Sequence, residues 1–552
     1  MQHKIPTLKT NAVIFSLILA VYFFLFLNLP LLARLHGLMQ EGSMSTGFSL
    51  TIPLFFIAAF NLIFIPFTNN RFRKPIFITL LVLSAGISYA TFNYGIVFSQ
   101  EMIGNFAETN SAEAYSYLNG AMLLWVIGLG VIPAVLVWKT EVTALPRKKI
   151  FLSQLYSFMT SLLVISLIAA VYYQDYAVTW RNNRDIRNVI VPTYAISSGV
   201  KYIKHRYFDT PLPYTPIGLD AQIARENTGK KRLTVIVIGE TARAHNYSLN
   251  GYAKDTNRFT RPHDVNFYKN VSSCGTETSV SVPCMFSNLT RGGYSHKVAQ
   301  AQDNLIDILD HAGVETLWIE NNGGCKDVCK NTRTIDIRQA YAKDKRYCGT
   351  EGCYDGAIVE ELSKQMNSLT DSDTVVFLHL MGSHGPSYYK RYPEDMAAFM
   401  PDCRRSDIQN CTADELENAY DNTILYTDKI LADIIDMLKV KDDTWETSLL
   451  YLSDHGESLG ESGVYLHGLP YSIAPDEQKK IPLITWLSPA AVKAQSIGKT
   501  CLSDIGIRGG YSQDNFFHTV LGMAGVSTQA YKHEMDILDI CRKNTAAHKQ
   551  PR

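Results

Sequence analysis

Four short apolar runs after residue 230 end abruptly in residues able to do chemistry. Gly239-Glu240-Thr241 follows Ile238, and Glu320-Asn321-Asn322 follows Ile319. Met381-Gly382-Ser383-His384-Gly385 follows Leu380, and Ser453-Asp454-His455-Gly456-Glu457 follows Leu452. Adjacent Asp454 and His455 in a tight turn offer one ion a carboxylate oxygen and an imidazole nitrogen, and Glu240 adds another hard oxygen. Such mixed N/O ligands suit Zn²⁺ or Mn²⁺. An Asp-His-Gly triplet also makes an ordinary turn, and His384 and His467 are lone histidines in Gly-flanked loops. A nucleophile is on offer in Ser273–Cys284, a segment dense in hydroxyls and closed by two cysteines. A divalent cation lowers a hydroxyl's pKa and turns it into an alkoxide. The same Ser and Thr residues also suit a helix cap, and a helix N-terminus favours phosphate charge. On these grounds Thr276, Thr278 and Ser279 stand equal.

Such residues need a scaffold that brings distant strand ends together. Leu233–Ile238, Glu315–Ile319, Val375–Leu380, Leu449–Leu452 and Leu483–Leu487 read as buried strands separated by helical stretches. This alternation predicts an α/β fold with a mainly parallel sheet, whose ligands gather beyond the carboxyl ends of the strands.

The first third of the chain is different. Ala12–Ala33, Gly47–Phe67, Ile76–Phe98, Gly120–Trp138 and Phe151–Tyr173 are each long and apolar enough to cross a bilayer. No small-residue cleavage site follows the first, so it reads as an uncleaved span. Loops on the N-terminal side carry Lys4, Lys9, Arg71, Arg73, Lys74, Lys139, Arg147, Lys148 and Lys149, against Arg34 alone on the other side. This bias puts the N-terminus in the cytoplasm and, after five spans, the rest of the chain outside. The expected organisation is a five-helix membrane domain over 1–174, a linker over 175–230 and a metal-dependent catalytic domain over 231–552. In the linker, Tyr194–Phe208 carries Lys201, Lys204, His205 and Arg206 among aromatics, as an interfacial helix or a solvated connector would.

All ten cysteines lie from Cys274 onward, eight of them in close pairs. Disulfides and an exported domain explain this together. A zinc held by Cys325, Cys329, Cys348 and Cys353, or free thiols in a cytosolic domain, are the rivals. The predicted bonds are Cys274–Cys284, Cys325–Cys329, Cys348–Cys353 and Cys403–Cys411, with Cys501–Cys541 by elimination. A net charge of +0 without a basic block excludes nucleic acid as the main partner.

Over essentially its whole length the chain resembles the lipid A phosphoethanolamine transferases, a family that includes the mobile colistin-resistance enzymes. The resemblance is carried by Gly239-Glu240-Thr241-Ala242-Arg243-Ala244, Asn246–Tyr252, Cys274–Ser287, Gly382-Ser383-His384-Gly385-Pro386 and Tyr451–Gly460. It implies an alkaline-phosphatase/sulfatase-like fold in a bacterial inner-membrane protein. It also implies a monomer that takes phosphoethanolamine from phosphatidylethanolamine and puts it on lipid A, giving polymyxin resistance. The threonine Thr278 would be the nucleophile, and Glu240, Thr278, Asp454 and His455 would hold one zinc tightly. His384 and His467 match positions that bind the phosphoryl group or a second, weaker zinc. Asn322 and Lys326 match donor-binding positions. Asn105, Thr109 and Glu113 match headgroup contacts, and their spacing of four shares one helical face. Glu277 and His245 depart from the family's commoner residues. The rivals are the same transfer onto a core sugar, protein or other glycan, a phosphodiesterase or sulfatase on the same fold, and a metal-binding scaffold without activity.

Overall fold

The computed structural model describes residues 8–40, 45–68, 72–108, 117–143, 146–224, 229–349 and 352–542. The chain forms two compact units, Met1–Ile103 with Leu118–His205, and Gly104–Tyr117 with Arg206–Arg552.

In the first unit, four helices among the described residues are long and apolar enough to cross a membrane, Thr46–Phe67, Arg73–Tyr94, Gly120–Lys139 and Lys148–Asn182, with a bent pair as a fifth if it counts as one span. The first expected span is instead a bent pair, Ala12–Leu27 and Leu29–Gln40, meeting at 65°. Asn28 sits in the break. Its Nδ2 donates to the carbonyls of Phe23 and Val191, and its Oδ1 accepts the Val191 amide. Those bonds satisfy backbone groups that a broken helix would otherwise leave bare in apolar surroundings. The span expected to reach Phe98 stops at Tyr94, where Gly95 turns left-handed (φ 73°) and caps it. The last span continues past Tyr173 to Asn182, with a kink at Tyr172. Buried Asn61 ties three helices together, accepting from the Ser16 hydroxyl and donating to Ser157 and Ser161. In the segment after the last span, Thr193–Ile203 is helical, and Lys204–Phe208 prolongs it as a wider turn.

The second unit is built on a seven-stranded sheet. Its strands are β1 (Lys231–Gly239), β2 (Asn266–Ser272), β3 (Glu315–Glu320), β4 (Arg333–Asp336), β5 (Thr374–His379), β6 (Trp445–Ser453) and β7 (Lys480–Leu487). Across the sheet they run in the order β2-β7-β6-β1-β5-β3-β4. The block β6-β1-β5-β3-β4 is parallel, and β7 runs against both β6 and β2. All five expected strands are present, and the sheet is mainly parallel as expected. The central strands β1, β5 and β6 are buried almost throughout, which explains their unbroken apolar runs. The two edge strands were not expected from the sequence. Neither Asn266–Ser272 nor Arg333–Asp336 has such a run, because each is covered on fewer sides.

The register aligns the strand ends. His379 lies opposite both Ile238 and Glu320, and Ser453 lies opposite Gly239. The next residues on these strands therefore emerge side by side. At the opposite end, Arg232 and Glu446 pair across β1 and β6 with Nε–Oε2 2.9 Å, both buried. Glu446→Ala is expected to cost about 3–5 kcal/mol by leaving a buried guanidinium without its partner. Chemical unfolding of the full chain measures this, and a loss under about 1 kcal/mol would mean that the surroundings absorb the charge.

All five expected disulfides are formed: Cys274–Cys284, Cys325–Cys329, Cys348–Cys353, Cys403–Cys411 and Cys501–Cys541. This excludes a zinc held by the Cys325–Cys353 group.

Candidate metal and nucleophile centre

Beyond the aligned strand ends, Glu240, Asp454 and His455 offer donor atoms that all lie within 4.8 Å of one another, fully buried. His455 Nδ1 lies 3.0 Å from the Gly456 carbonyl. A carbonyl only accepts, so Nδ1 carries the proton and Nε2 turns its lone pair to the cluster. That nitrogen is 3.3 Å from Asp454 Oδ2 and 3.5 Å from Glu240 Oε1. Asp454 Oδ1 accepts the amides of Thr241 and His455, while buried Oδ2 accepts no hydrogen bond.

The triplet's glycine has a steric cause. A Cβ on Gly456 would stand 2.0 Å from the Glu477 carbonyl oxygen, on backbone that cannot swing aside. Gly456→Ala is expected to displace Asp454 and His455 and to destabilise the chain by about 1–3 kcal/mol. Thermal unfolding reads this, and an unchanged melting temperature would show that the loop yields.

The nucleophile segment arrives at the N-terminus of α1 (Thr278–Phe286), bound back to its own helix by Cys274–Cys284. Thr278 Oγ1 donates to Glu240 Oε2 at 3.1 Å and lies 3.4 Å from His455 Nε2. Thr276 is turned away and donates to the Leu469 carbonyl at 2.6 Å. Of these two threonines, only Thr278 faces the carboxylates. Ser279, next along the helix, is half-buried. Glu277 is buried and occupies the cap position, where its carbonyl accepts the amides of Val280 and Ser281. His245 is exposed, with its ring near Tyr252.

His467 also joins the cluster, its ring 4.4 Å from that of His455 and 5.6 Å from that of His384. Its Nδ1 is 3.2 Å from Glu457 Oε2, and Tyr388 donates to the other oxygen of Glu457. Asn322 Nδ2 donates to Glu240 Oε2 at 2.6 Å. Lys326 lines a groove with Tyr214, Ser287, Gln302, Asn304 and Lys330. Asn105 is half-buried on helix Gln100–Glu108, while Thr109 and Glu113 lie outside the described residues.

Electrostatics favour a cation here. Burial works against ionising Glu240, and the surrounding imidazoles, His455 first, lower its carboxyl to the extent that they carry charge. Burial, then the neighbouring charge of Glu240, raises Asp454. Burial pushes His467 well below the ordinary imidazole range, aided by His455 and His384, which favours a neutral ring. Burial likewise raises Glu457 well above the usual carboxyl range. Two packed carboxylates that disturb each other's ionisation, with one oxygen unbonded, are what a divalent ion would relieve. The donors of Glu240, Asp454 and His455 therefore fit a divalent cation, with the Thr278 hydroxyl beside them.

Three further groups position this cluster, and of them Tyr420 and Gln513 carry no strand-end signal in the sequence. Thr241 adopts φ 57°, strained for a β-branched residue, and donates its hydroxyl to Glu240 Oε1 at 2.8 Å. Tyr420, on α2 (Ala413–Val440), donates to the Thr241 carbonyl. Gln513 accepts the Cys274 amide and donates to the carbonyls of Ser453 and Asp454. It thus ties the nucleophile loop to the metal turn. A lone Gln far along the chain offers no pattern by which to find it.

Comparison with known proteins agrees with this architecture. The EptA/EptB phosphoethanolamine transferase model matches residues 56–207, and the sulfatase model matches residues 232–526. The chain is 38% identical to phosphoethanolamine transferase EptA of Escherichia coli K12 over 98% of each chain. It is 37% identical to phosphatidylethanolamine transferase Mcr-1 of Escherichia coli over 80% of this chain and 83% of that one. The structure of the integral membrane lipooligosaccharide phosphoethanolamine transferase EptA from Neisseria meningitidis superposes with a TM-score of 0.92 at 37% identity, covering 97% of this chain and all of that one. The chain belongs to the EptA phosphoethanolamine transferases, integral membrane enzymes with a sulfatase-type soluble part.

Proposed function

We propose that this transferase moves phosphoethanolamine from phosphatidylethanolamine to a phosphate of lipid A through a covalent intermediate on Thr278. The observation that carries the reading is the Thr278 hydroxyl, set at the start of α1 and hydrogen-bonded to Glu240 beside His455. Zinc bound by Glu240, Thr278, Asp454 and His455 would lower the pKa of the Thr278 hydroxyl and offset charge on the phosphoryl oxygens. Thr278 Oγ1 bonds to phosphorus as its proton leaves, and the diacylglycerol oxygen departs with its bonding pair and takes up a proton. A lipid A phosphate oxygen then attacks the same phosphorus and frees Thr278. Two displacements through one enzyme group give ping-pong kinetics. His384 and His467 border the centre, where a ring N–H can donate a hydrogen bond to the phosphoryl oxygens. In this reading Lys326 and Asn105 bind the donor.

The protein is placed in the inner membrane as a monomer, N-terminus in the cytoplasm and sheet domain in the periplasm. The Lys and Arg asymmetry of the loops supports that orientation, and so do five disulfides confined to the soluble part. Capping a lipid A phosphate removes negative charge and adds an ammonium, which weakens the attraction of polycationic peptides. Expression in a Gram-negative host is expected to add phosphoethanolamine mass to lipid A and to raise polymyxin tolerance. Mass spectrometry of lipid A tests the acceptor. A gain on another glycan with none on lipid A would overturn that assignment, and release of free phosphoethanolamine alone would favour a hydrolase.

A further inference from the structure

Asn322 is fully engaged inside the protein. Its Nδ2 donates to Glu240 Oε2 at 2.6 Å and to the Leu380 carbonyl at 3.0 Å, and its Oδ1 accepts the Gly323 amide at 2.5 Å. An amide nitrogen has two hydrogens, and both are taken. The residue is 6% exposed. To bind a donor headgroup through that nitrogen, it would have to break a bond to a buried carboxylate, leaving that carboxylate short of a donor.

Beneath it lies a second buried carboxylate. Glu320 Oε1 accepts the Asn322 amide at 2.6 Å. Its Oε2 accepts from Trp318 Nε1 at 2.8 Å and lies 3.1 Å from His379 Nδ1. The β3–β5 register sets Glu320 directly opposite His379, so sheet pairing itself builds this contact. Glu320 and His379 are the last residues of their strands, and the backbone leaving β3 is held by the carboxylate one step from the metal cluster.

We infer that Glu320 and Asn322 form a positioning relay for Glu240, in which Glu320 fixes the backbone of Asn322 and the Asn322 amide sets the rotamer of the metal-binding carboxylate. Asn322 then acts through Glu240 and does not bind the phospholipid donor. The relay rests on the reading of Glu240 as a metal ligand. Hydrogen bonds to a ligating carboxylate hold it in place, and losing them typically lowers metal affinity about 10–100-fold.

The test uses the full chain in detergent, stripped of metal and titrated with zinc against a chelating dye, with donor kinetics measured on the zinc-loaded protein. Asn322→Ala is expected to weaken zinc at least about tenfold and to lower kcat, leaving the donor KM unchanged. Glu320→Gln, which touches neither ion nor substrate, is expected to weaken zinc in the same direction. A donor-binding role predicts the reverse for Asn322→Ala: zinc affinity within about twofold of wild type and a raised KM. That result overturns the relay. Should Asn322→Ala fail to fold, Glu320→Gln decides: wild-type zinc affinity in that variant overturns the relay, and weakened affinity upholds it. Glu240→Gln separates the two claims. If it binds zinc as tightly as wild type, the ligand reading itself fails and the relay with it. If it loses zinc while Asn322→Ala and Glu320→Gln keep it, only the relay fails.

Discussion

Thr278→Ala is expected to abolish phosphoethanolamine transfer and to leave the fold intact. The substitution removes one hydroxyl and one methyl from the first position of α1, where alanine is a better helix former than threonine. The remaining supports of the loop, Cys274–Cys284 and the Gln513 bonds, are untouched. The loss in rate is expected to be on the order of 10⁴–10⁶-fold, as for other removed nucleophiles. Thr278→Ser keeps the hydroxyl and is expected to retain part of the activity. The direct measurement is peptide mass spectrometry after incubation with a phosphatidylethanolamine analogue, which should find phosphoethanolamine on the Cys274–Cys284 peptide of the wild type only. Label on Thr276 or Ser279 would overturn the assignment. In cells, equal polymyxin tolerance from wild-type and Thr278→Ala chains would show that charge capping is not the cause.

Stripping the metal is expected to have a comparably large effect, on stability as well as on activity. Dialysis against a strong chelator is expected to abolish transfer, and zinc is expected to restore it. Removing the ion leaves Glu240 and Asp454 facing each other, with Asp454 Oδ2 buried and without a hydrogen bond. At free zinc about a thousandfold above its Kd, bound metal adds roughly 4 kcal/mol to stability. The melting temperature should therefore rise with zinc, and Asp454→Asn or His455→Ala should remove that dependence. Elemental analysis of protein purified without added metal checks the ion's identity. Full activity in protein shown to be metal-free would overturn the metal-activated mechanism.

Much of the molecule is legible from residue order because the relevant forces act over short spans of chain. Apolar stretches of bilayer length mark the membrane helices, and the loop charges predict an orientation for them. The central strands show as unbroken apolar runs because they are buried on both faces. Cysteines a few residues apart pair locally, as Cys325–Cys329 and Cys348–Cys353 do. The polar residues at the strand ends likewise marked Glu240, His384, Asp454 and His455 as candidates before any contact was visible.

Other features required the folded chain. Composition could not rank Thr276 against Thr278, since both are threonines in one loop. Packing decides their directions, sending one hydroxyl to the Leu469 carbonyl and the other to Glu240. The 65° break at Asn28 depends on a partner, Val191, far along the chain. The edge strands escape notice because partial exposure leaves them no continuous apolar signature. Gln513 is invisible for the same underlying reason. Its role is hydrogen bonds made between distant loops, and a hydrogen bond to a remote partner leaves no periodicity in the residues around it.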